Sequence, residues 1–216
     1  MPFRDRIDAA HRLARALAGF AGDRPVVLAV PRGAVPMGAA IAGELGGELD
    51  VVLVRKLRAP FNPEFAVGAI DEQGWCYIAG HSVEAGADAR YLEREKRAQL
   101  EILRARRASY TPGREPIAIA GRVAIVVDDG LATGATMIAA LHSAGARKPK
   151  KLVCAVPVAS PEALEAVARY ADEVVCLEAP ADFHAVGQFY EDFPQVDDAE
   201  VASILRHGPG PVRHCA

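Results

Sequence analysis

The sequence predicts an α/β protein, a parallel sheet core flanked by helices on both faces. Three observations predict it. Runs that are apolar throughout recur at residues 26–30, 123–127 and 152–156, as strands buried on both faces do. Segments with helical spacing separate these runs, the order that parallel crossovers require. The 216 residues suit one domain, and no internal repeat, low-complexity run or linker divides them.

Each element has its own signal. Residues 4–19 set Ile7, Ala10, Leu13, Ala14 and Leu17 on one helical face, with Arg4, Arg6, Arg12 and Arg15 elsewhere. Pro25 precedes the strand Val26–Val30, and "PRGAVPMG" (31–38) reads as a turn leading into a small-residue helix to about Leu45. Val51–Val54 reads as a second buried strand ending at Arg55-Lys56. Pro60, Asn62 and Pro63 then break the pattern, so 57–70 reads as an irregular loop. Residues 65–79 alternate loosely around Asp71-Glu-Gln-Gly74, as a β-hairpin would. A long helix is expected over 84–108, with Tyr91, Leu92, Leu100 and Leu103 among many Arg and Glu. Strands at 123–128, 152–157 and 173–178 alternate with helices at 134–145 and 161–169; Ser160 before Pro161 is the N-cap of the second. From Ala179 the chain is richer in aromatics and acids and is expected to pack over the sheet as a small appended element.

Composition excludes several classes. An apolar fraction of 51%, a charged fraction of 25% and a net charge of -3 describe a globular chain with no general attraction for nucleic acid or an anionic membrane. No apolar run approaches the roughly 20 residues that span a bilayer. The N-terminus leads into a charged amphipathic segment instead of the apolar core of a signal peptide. Cysteines 76, 154, 176 and 215 form no Cys-x-x-Cys pair, and a cytoplasmic setting is expected. Arg94, Lys96, Arg97, Arg104, Arg106 and Arg107 interleave with Glu93, Glu95 and Glu101, which reads as a solvated helix face.

The stretch "VAIVVDDGLATGATM" (123–137) carries the chemistry. Five apolar residues run into two acids, and small residues with accessible amides follow. In an open parallel sheet ligands bind beyond the carboxyl ends of the strands, where Asp128 and Asp129 fall. The amides and hydroxyls of Thr133-Gly-Ala-Thr136 can surround an anion at a helix start. Acids beside a phosphate cradle repel the phosphate unless something polar and neutral lies between, and a ribose 5-phosphate meets that need. A P-loop needs Gly-Lys-Ser/Thr, and a dinucleotide fingerprint puts glycines, not acids, at the strand end. An aspartyl-phosphate phosphatase has its acids two apart, not adjacent. Taken alone, adjacent acids would more often cap a helix in solvent.

Val126–Met137, "VVDDGLATGATM", resembles the phosphoribosyl-diphosphate (PRPP) motif of type I phosphoribosyltransferases. "VPRGAVPMG", "VRKL…NPEFAVGAI" and "AVGQFYEDFPQV" are similar to a little-characterised bacterial group of phosphoribosyltransferase-like proteins. The resemblance implies the type I fold: one domain over 1–216, a core at about 20–178, a mobile loop at about 57–79 and a hood at about 179–216, to which the N-terminal helix contributes. It also implies site residues. Asp128 and Asp129 would hold the ribose hydroxyls and, mainly through substrate and water, Mg²⁺. Leu131, Ala132, Thr133, Gly134, Ala135 and Thr136 would hold the 5′-phosphate. Pro31, Arg32, Gly33 and Ala34, with a strained or cis peptide around Arg32-Gly33, would hold pyrophosphate together with Arg55 and Lys56; Arg58 is a weaker candidate. Glu64 is a candidate acid or base in the mobile loop. Phe183, Val186 and Tyr190, with His184 and Phe189 nearby, are the base-binding candidates; the same aromatics could simply anchor the flap. Ala132 replaces an acid of the 6-oxopurine enzymes, and Gly130 replaces a bulkier residue. The implied activity is Mg²⁺-dependent transfer of a phosphoribosyl group from PRPP to a nucleobase-like nitrogen heterocycle, as in nucleotide salvage. The implied state is a homodimer, and the alternative is a non-catalytic PRPP or nucleotide sensor.

Overall fold

A computed structural model describes residues 2–208, apart from the side chains of residues 63 and 64. The chain opens with helix α1 (Arg6–Ala16), capped by Asp5, whose carboxylate accepts from the Asp8 amide at 2.7 Å. A 3₁₀ turn (Ala18–Asp23) leads to β1 (Val26–Ala29), α2 (Ala34–Leu45) and β2 (Glu48–Val51). Strands β3 (Val54–Ala59), β4 (Asn62–Asp71) and β5 (Cys76–Ile78) follow, then the long helix α3 (Ala89–Tyr110). The second half runs β6 (Val123–Val127), α4 (Ala135–Ala146), β7 (Lys151–Val158), α5 (Pro161–Val167) and β8 (Glu173–Glu178). A 3₁₀ turn (Val186–Phe189) and α6 (Asp198–His207) end the described chain.

Five strands form a parallel sheet in the order β2-β1-β6-β7-β8. Alternation along each strand sorts its side chains between two cores. Val27, Ala29, Ile125 and Val127 face a core built with Leu13 of α1 and Ile41 of α2. Val26, Leu28, Ala124 and Val126 face a second core with Leu141 of α4 and Val167 of α5. Both faces are covered, which is why the strand sequences carry no polar alternation.

Three expectations change. The second core strand is Glu48–Val51, not Val51–Val54, because fully buried Asp50 interrupts the apolar run. Asp50 is tolerated there since Arg107, Arg114 and the Ile117 amide all donate to its carboxylate. Residues 57–70 are not an irregular loop: β3, β4 and β5 make a separate antiparallel sheet, with Pro60-Phe61 at the tip of the first hairpin. Prolines 60 and 63 sit at the turn and at the strand start, where no ladder amide is missed. Arg107, read with its neighbours as part of a solvated helix face, is instead largely buried, its guanidinium donating to Asp50 at 3.0 Å and Glu72 at 2.6 Å.

The hairpin around Asp71–Gly74 forms as expected, with Asp71 Oδ1 accepting from the Gln73 and Trp75 amides at 3.0 and 2.9 Å. Ser160 caps α5 by accepting from the Ala163 amide at 3.1 Å. Cys154 is buried and its thiol pushed up to about 12 by desolvation, while Cys176 is half-buried and Cys215 lies outside the described residues. Among the described residues no helix is long and apolar enough to cross a membrane.

Candidate active site

The centre of the sheet delivers the site. β6 pairs with β1 on one side and β7 on the other, so its carboxyl end emerges between two strands. There Asp128 lines a cleft of about 160 Å³, bounded also by Lys56, the chain from Gly130 to Met137, and Val186. Gly134 is the N-cap of α4 at φ 74°, and no side chain caps the helix. Among the described residues no carbonyl accepts from the amides of residues 132–137. Free amides at a helix N-terminus, with threonine hydroxyls beside them, form an anion site. Leu131 belongs to the scaffold: its amide donates to the Val158 carbonyl at 3.0 Å and its side chain is buried. Ser160 Oγ donates to the Ala132 carbonyl at 2.9 Å and ties the loop to the start of α5.

The two aspartates differ. Asp128 Oδ1 accepts from the Asp129 amide at 2.9 Å, and the residue lines the cleft. Burial pushes its carboxyl well above the ordinary carboxylate range, and the neighbouring Asp129 charge adds to the rise. Asp129 lies beside the cleft wall and turns toward the loop before α2. Its Oδ2 accepts from Arg6 Nε at 3.0 Å. Burial raises the Asp129 carboxyl as well, against the opposing pull of Arg6. A Cβ on Gly33 would come within 2.1 Å of Asp129 Oδ2, so only glycine admits this approach. The two adjacent acids therefore address different neighbours: Asp128 the cleft, Asp129 the Pro31–Ala34 loop.

That loop holds a cis peptide between Pro31 and Arg32, one bond before the position expected. Gly33 meets Asp129, and Ala34 is buried at the first position of α2. Arg32 points away toward α6, 3.7 Å from the Asp198 carboxylate, which also receives the Tyr110 hydroxyl. Among the basic candidates on β3 the structure brings Lys56 to the cleft and not Arg55. They are neighbours on one strand and project to opposite faces. Arg55 donates to Gln99 of α3, and the Arg58 amide faces Glu95 of the same helix. Glu64 falls on β4, and its side chain lies outside the described residues.

The C-terminal segment covers the cleft through Val186. A Cβ on Gly130 would approach Val186 Cγ1 to 2.6 Å, which accounts for the small residue at 130. Gln188 organises the loop, accepting from the His184 and Ala185 amides at 3.0 Å each and donating to the Asp182 carbonyl at 2.9 Å. Phe183 packs against Phe189 with the rings tilted and their centroids 5.2 Å apart. Tyr190 is placed otherwise than expected. Its ring lies between Phe3 (5.5 Å) and Phe193 (4.7 Å), and its hydroxyl donates to the Asp129 carbonyl at 2.6 Å. Burial raises this phenol far above its ordinary value. It is a strut for residue 129, not a free stacking face.

Sequence reasoning missed Arg6, Phe193 and Pro194. Arg6 lies over the Phe193 ring at 3.6 Å and donates to the Pro194 carbonyl at 2.6 Å. A signal existed: Arg6, Ala9, Ala10 and Leu13 share the spacing of a buried face. Among the described residues no group of three or more His, Cys, Asp or Glu could hold a metal by itself. Asp128 with its neighbour fits an ion held chiefly by substrate oxygens and water, the mode magnesium prefers.

An open parallel sheet with a bare amide cradle and an acid pair at one strand end defines an α/β protein with a candidate anion site at the carboxyl edge of its sheet. The chain belongs to the phosphoribosyl transferase domain family, whose pattern it matches over residues 5–194. It is 45% identical over 205 residues, 94% of its length, to Mycobacterium tuberculosis proteins named "Putative phosphoribosyl transferase MT0597" and "Putative phosphoribosyl transferase Rv0571c". It spans 46% of the length of those relatives. The crystal structure of TT1426 from Thermus thermophilus is similar throughout: 49% identity, TM-score 0.84, 97% of this chain and 100% of that one.

Proposed function

We propose that this chain is a phosphoribosyltransferase that takes PRPP as donor and a nucleobase-like nitrogen heterocycle as acceptor, releasing pyrophosphate. The observation that carries the reading is the cradle of amides at 132–137, unpaired among the described residues, beside the cleft-lining Asp128. In this reading the cradle and the hydroxyls of Thr133 and Thr136 take the 5′-phosphate. Asp128 and Asp129 accept from the ribose hydroxyls, and the Pro31–Ala34 loop with Lys56 takes the pyrophosphate. The C1–O bond to pyrophosphate breaks, an acceptor nitrogen lone pair forms the new C1–N bond, and the acceptor gives up its proton. Magnesium bound to the donor's oxygens would neutralise the leaving group, with Asp128 and Asp129 reached through water.

The protein's own contribution is positioning and charge neutralisation. Lys56 reaches the cleft from β3, so a movement of the β3–β4 hairpin would close over the reacting carbon and exclude water from an oxocarbenium-like transition state. Val186 offers the acceptor an apolar edge. Glu64 on the same hairpin is the candidate group for the acceptor proton. A homodimer and a cytoplasmic setting belong to the same proposal.

The test is pyrophosphate release from PRPP with Mg²⁺ across a panel of purine, pyrimidine and other heterocyclic acceptors. Acceptor-dependent release supports the transferase. A chain that binds PRPP, melts higher with it and releases nothing is a regulator on the same fold.

A further inference from the structure

We infer that Arg6 is a positioning residue for the ribose site, fixing the Asp129 carboxylate between the two anion loops and so coupling the N-terminal helix and the C-terminal segment to PRPP binding. The inference rests on the ribose role proposed for Asp129 and goes beyond it.

The guanidinium is held on three sides. Nε donates to Asp129 Oδ2 at 3.0 Å, Nη1 to the Pro194 carbonyl at 2.6 Å, and the plane lies 3.6 Å above the Phe193 ring. Its side chain is 10% exposed and that of Asp129 18%, so the pair is largely withdrawn from water. Residue 129 is gripped at its backbone too, by the Tyr190 hydroxyl on its carbonyl. Phe3 pairs its backbone with Phe189 and Glu191, which binds the two grips together just ahead of α1.

A buried ion pair is a poor stabiliser, because desolvating both charges offsets most of their attraction. Its place explains it better. The carboxylate stands against Gly33, at a distance no other residue would allow, and the chain that carries it runs directly into the cradle. Left alone on a rotatable stem, it would lose freedom on each binding event; held by Arg6, that loss is already met in folding. The single contact engages Oδ2, and a carboxylate accepts at both oxygens. Arg6 is fixed by Phe193 and Pro194, so it acts as a brace and not as a removable plug.

The experiment is calorimetric titration of the full chain with PRPP and Mg²⁺ for wild type, Arg6→Gln, Arg6→Lys, Asp129→Asn and the Arg6→Gln/Asp129→Asn double variant, each with its melting temperature. Expected are about tenfold weaker binding for Arg6→Gln, partial recovery in Arg6→Lys, and no further loss when Arg6→Gln is added to Asp129→Asn. Unchanged affinity with a lowered melting temperature, additive losses in the double variant, or tighter binding by Arg6→Gln would each overturn it. If Arg6→Gln does not melt cooperatively, Arg6→Lys decides: weaker binding that vanishes in the Asp129→Asn background supports the brace, and unchanged binding refutes it. A wild type that does not bind PRPP overturns the ribose reading itself, which separates that failure from the failure of the brace alone.

Discussion

Gly33 and Asp129, ninety-six positions apart, approach so closely that a methyl group on the first would stand 2.1 Å from a carboxylate oxygen of the second. Two loops from different strand ends are thereby pressed together at the mouth of the cleft. Gly33→Ala must push the loop or the carboxylate aside. The expected cost is about 1–3 kcal/mol of stability, with PRPP affinity falling by about tenfold or more. Urea unfolding and calorimetric titration of the same preparation measure both.

Gly134 meets a second backbone demand. At φ 74° it occupies the left-handed region, and a Cβ there would also lie 3.2 Å from Val167 Cγ1. Gly134→Ala is expected to cost roughly 1–2 kcal/mol and to tilt the amides of 135–137 away from a common focus. Ribose 5-phosphate binding, followed by the shift in melting temperature it induces, should weaken more than stability does.

Asp128 sets function against stability. Its carboxyl is raised well above the usual range by burial and by Asp129. Such a group binds protons more readily folded than unfolded, so its contribution falls as pH rises from about 4 through its folded value. Asp128→Asn removes that penalty at neutral pH. The variant should melt a few degrees higher without ligand, on the order of 1 kcal/mol, and lose most of its pyrophosphate release. A melting temperature lower than wild type at pH 7 would contradict the electrostatic account.

Ser160 joins two layers, accepting from the Ala163 amide and donating to the Ala132 carbonyl. Ser160→Ala should cost about 1–2 kcal/mol as a lost cap. It should also speed hydrogen exchange at residues 132–136 while leaving the distant β3–β5 sheet unchanged.

What can be read from the sequence follows a physical line. β6 and the acids after it are legible because a strand buried on both faces has no polar alternation, and two charges at its end are conspicuous. The β3–β4 hairpin is not, since Pro60, Asn62 and Pro63 mark a tip and a break with the same residues. Asp50 hides β2 because a buried acid is intelligible only with Arg107 and Arg114, which arrive from more than fifty residues away. Arg6 is obscured by the general exposure of arginine, although its spacing with Ala9, Ala10 and Leu13 points inward. Helix α6 carries a readable cap, Asp197 on the Glu200 amide, and an apolar set at Val201, Ala202 and Leu205. It disappears inside a tail that reads as one appended element. Tyr190 looks like a stacking face because its burial depends on Phe3 at the far end of the chain.

The account stands on the amides of 132–137 receiving a phosphoryl group while Asp128 faces the sugar. A crystal structure of the chain with PRPP and Mg²⁺ tests this most directly. The predicted result is the 5′-phosphate within hydrogen-bonding distance of several of those amides, with a ribose hydroxyl on Asp128. A donor phosphate bound elsewhere, with the cradle holding only water, would contradict it.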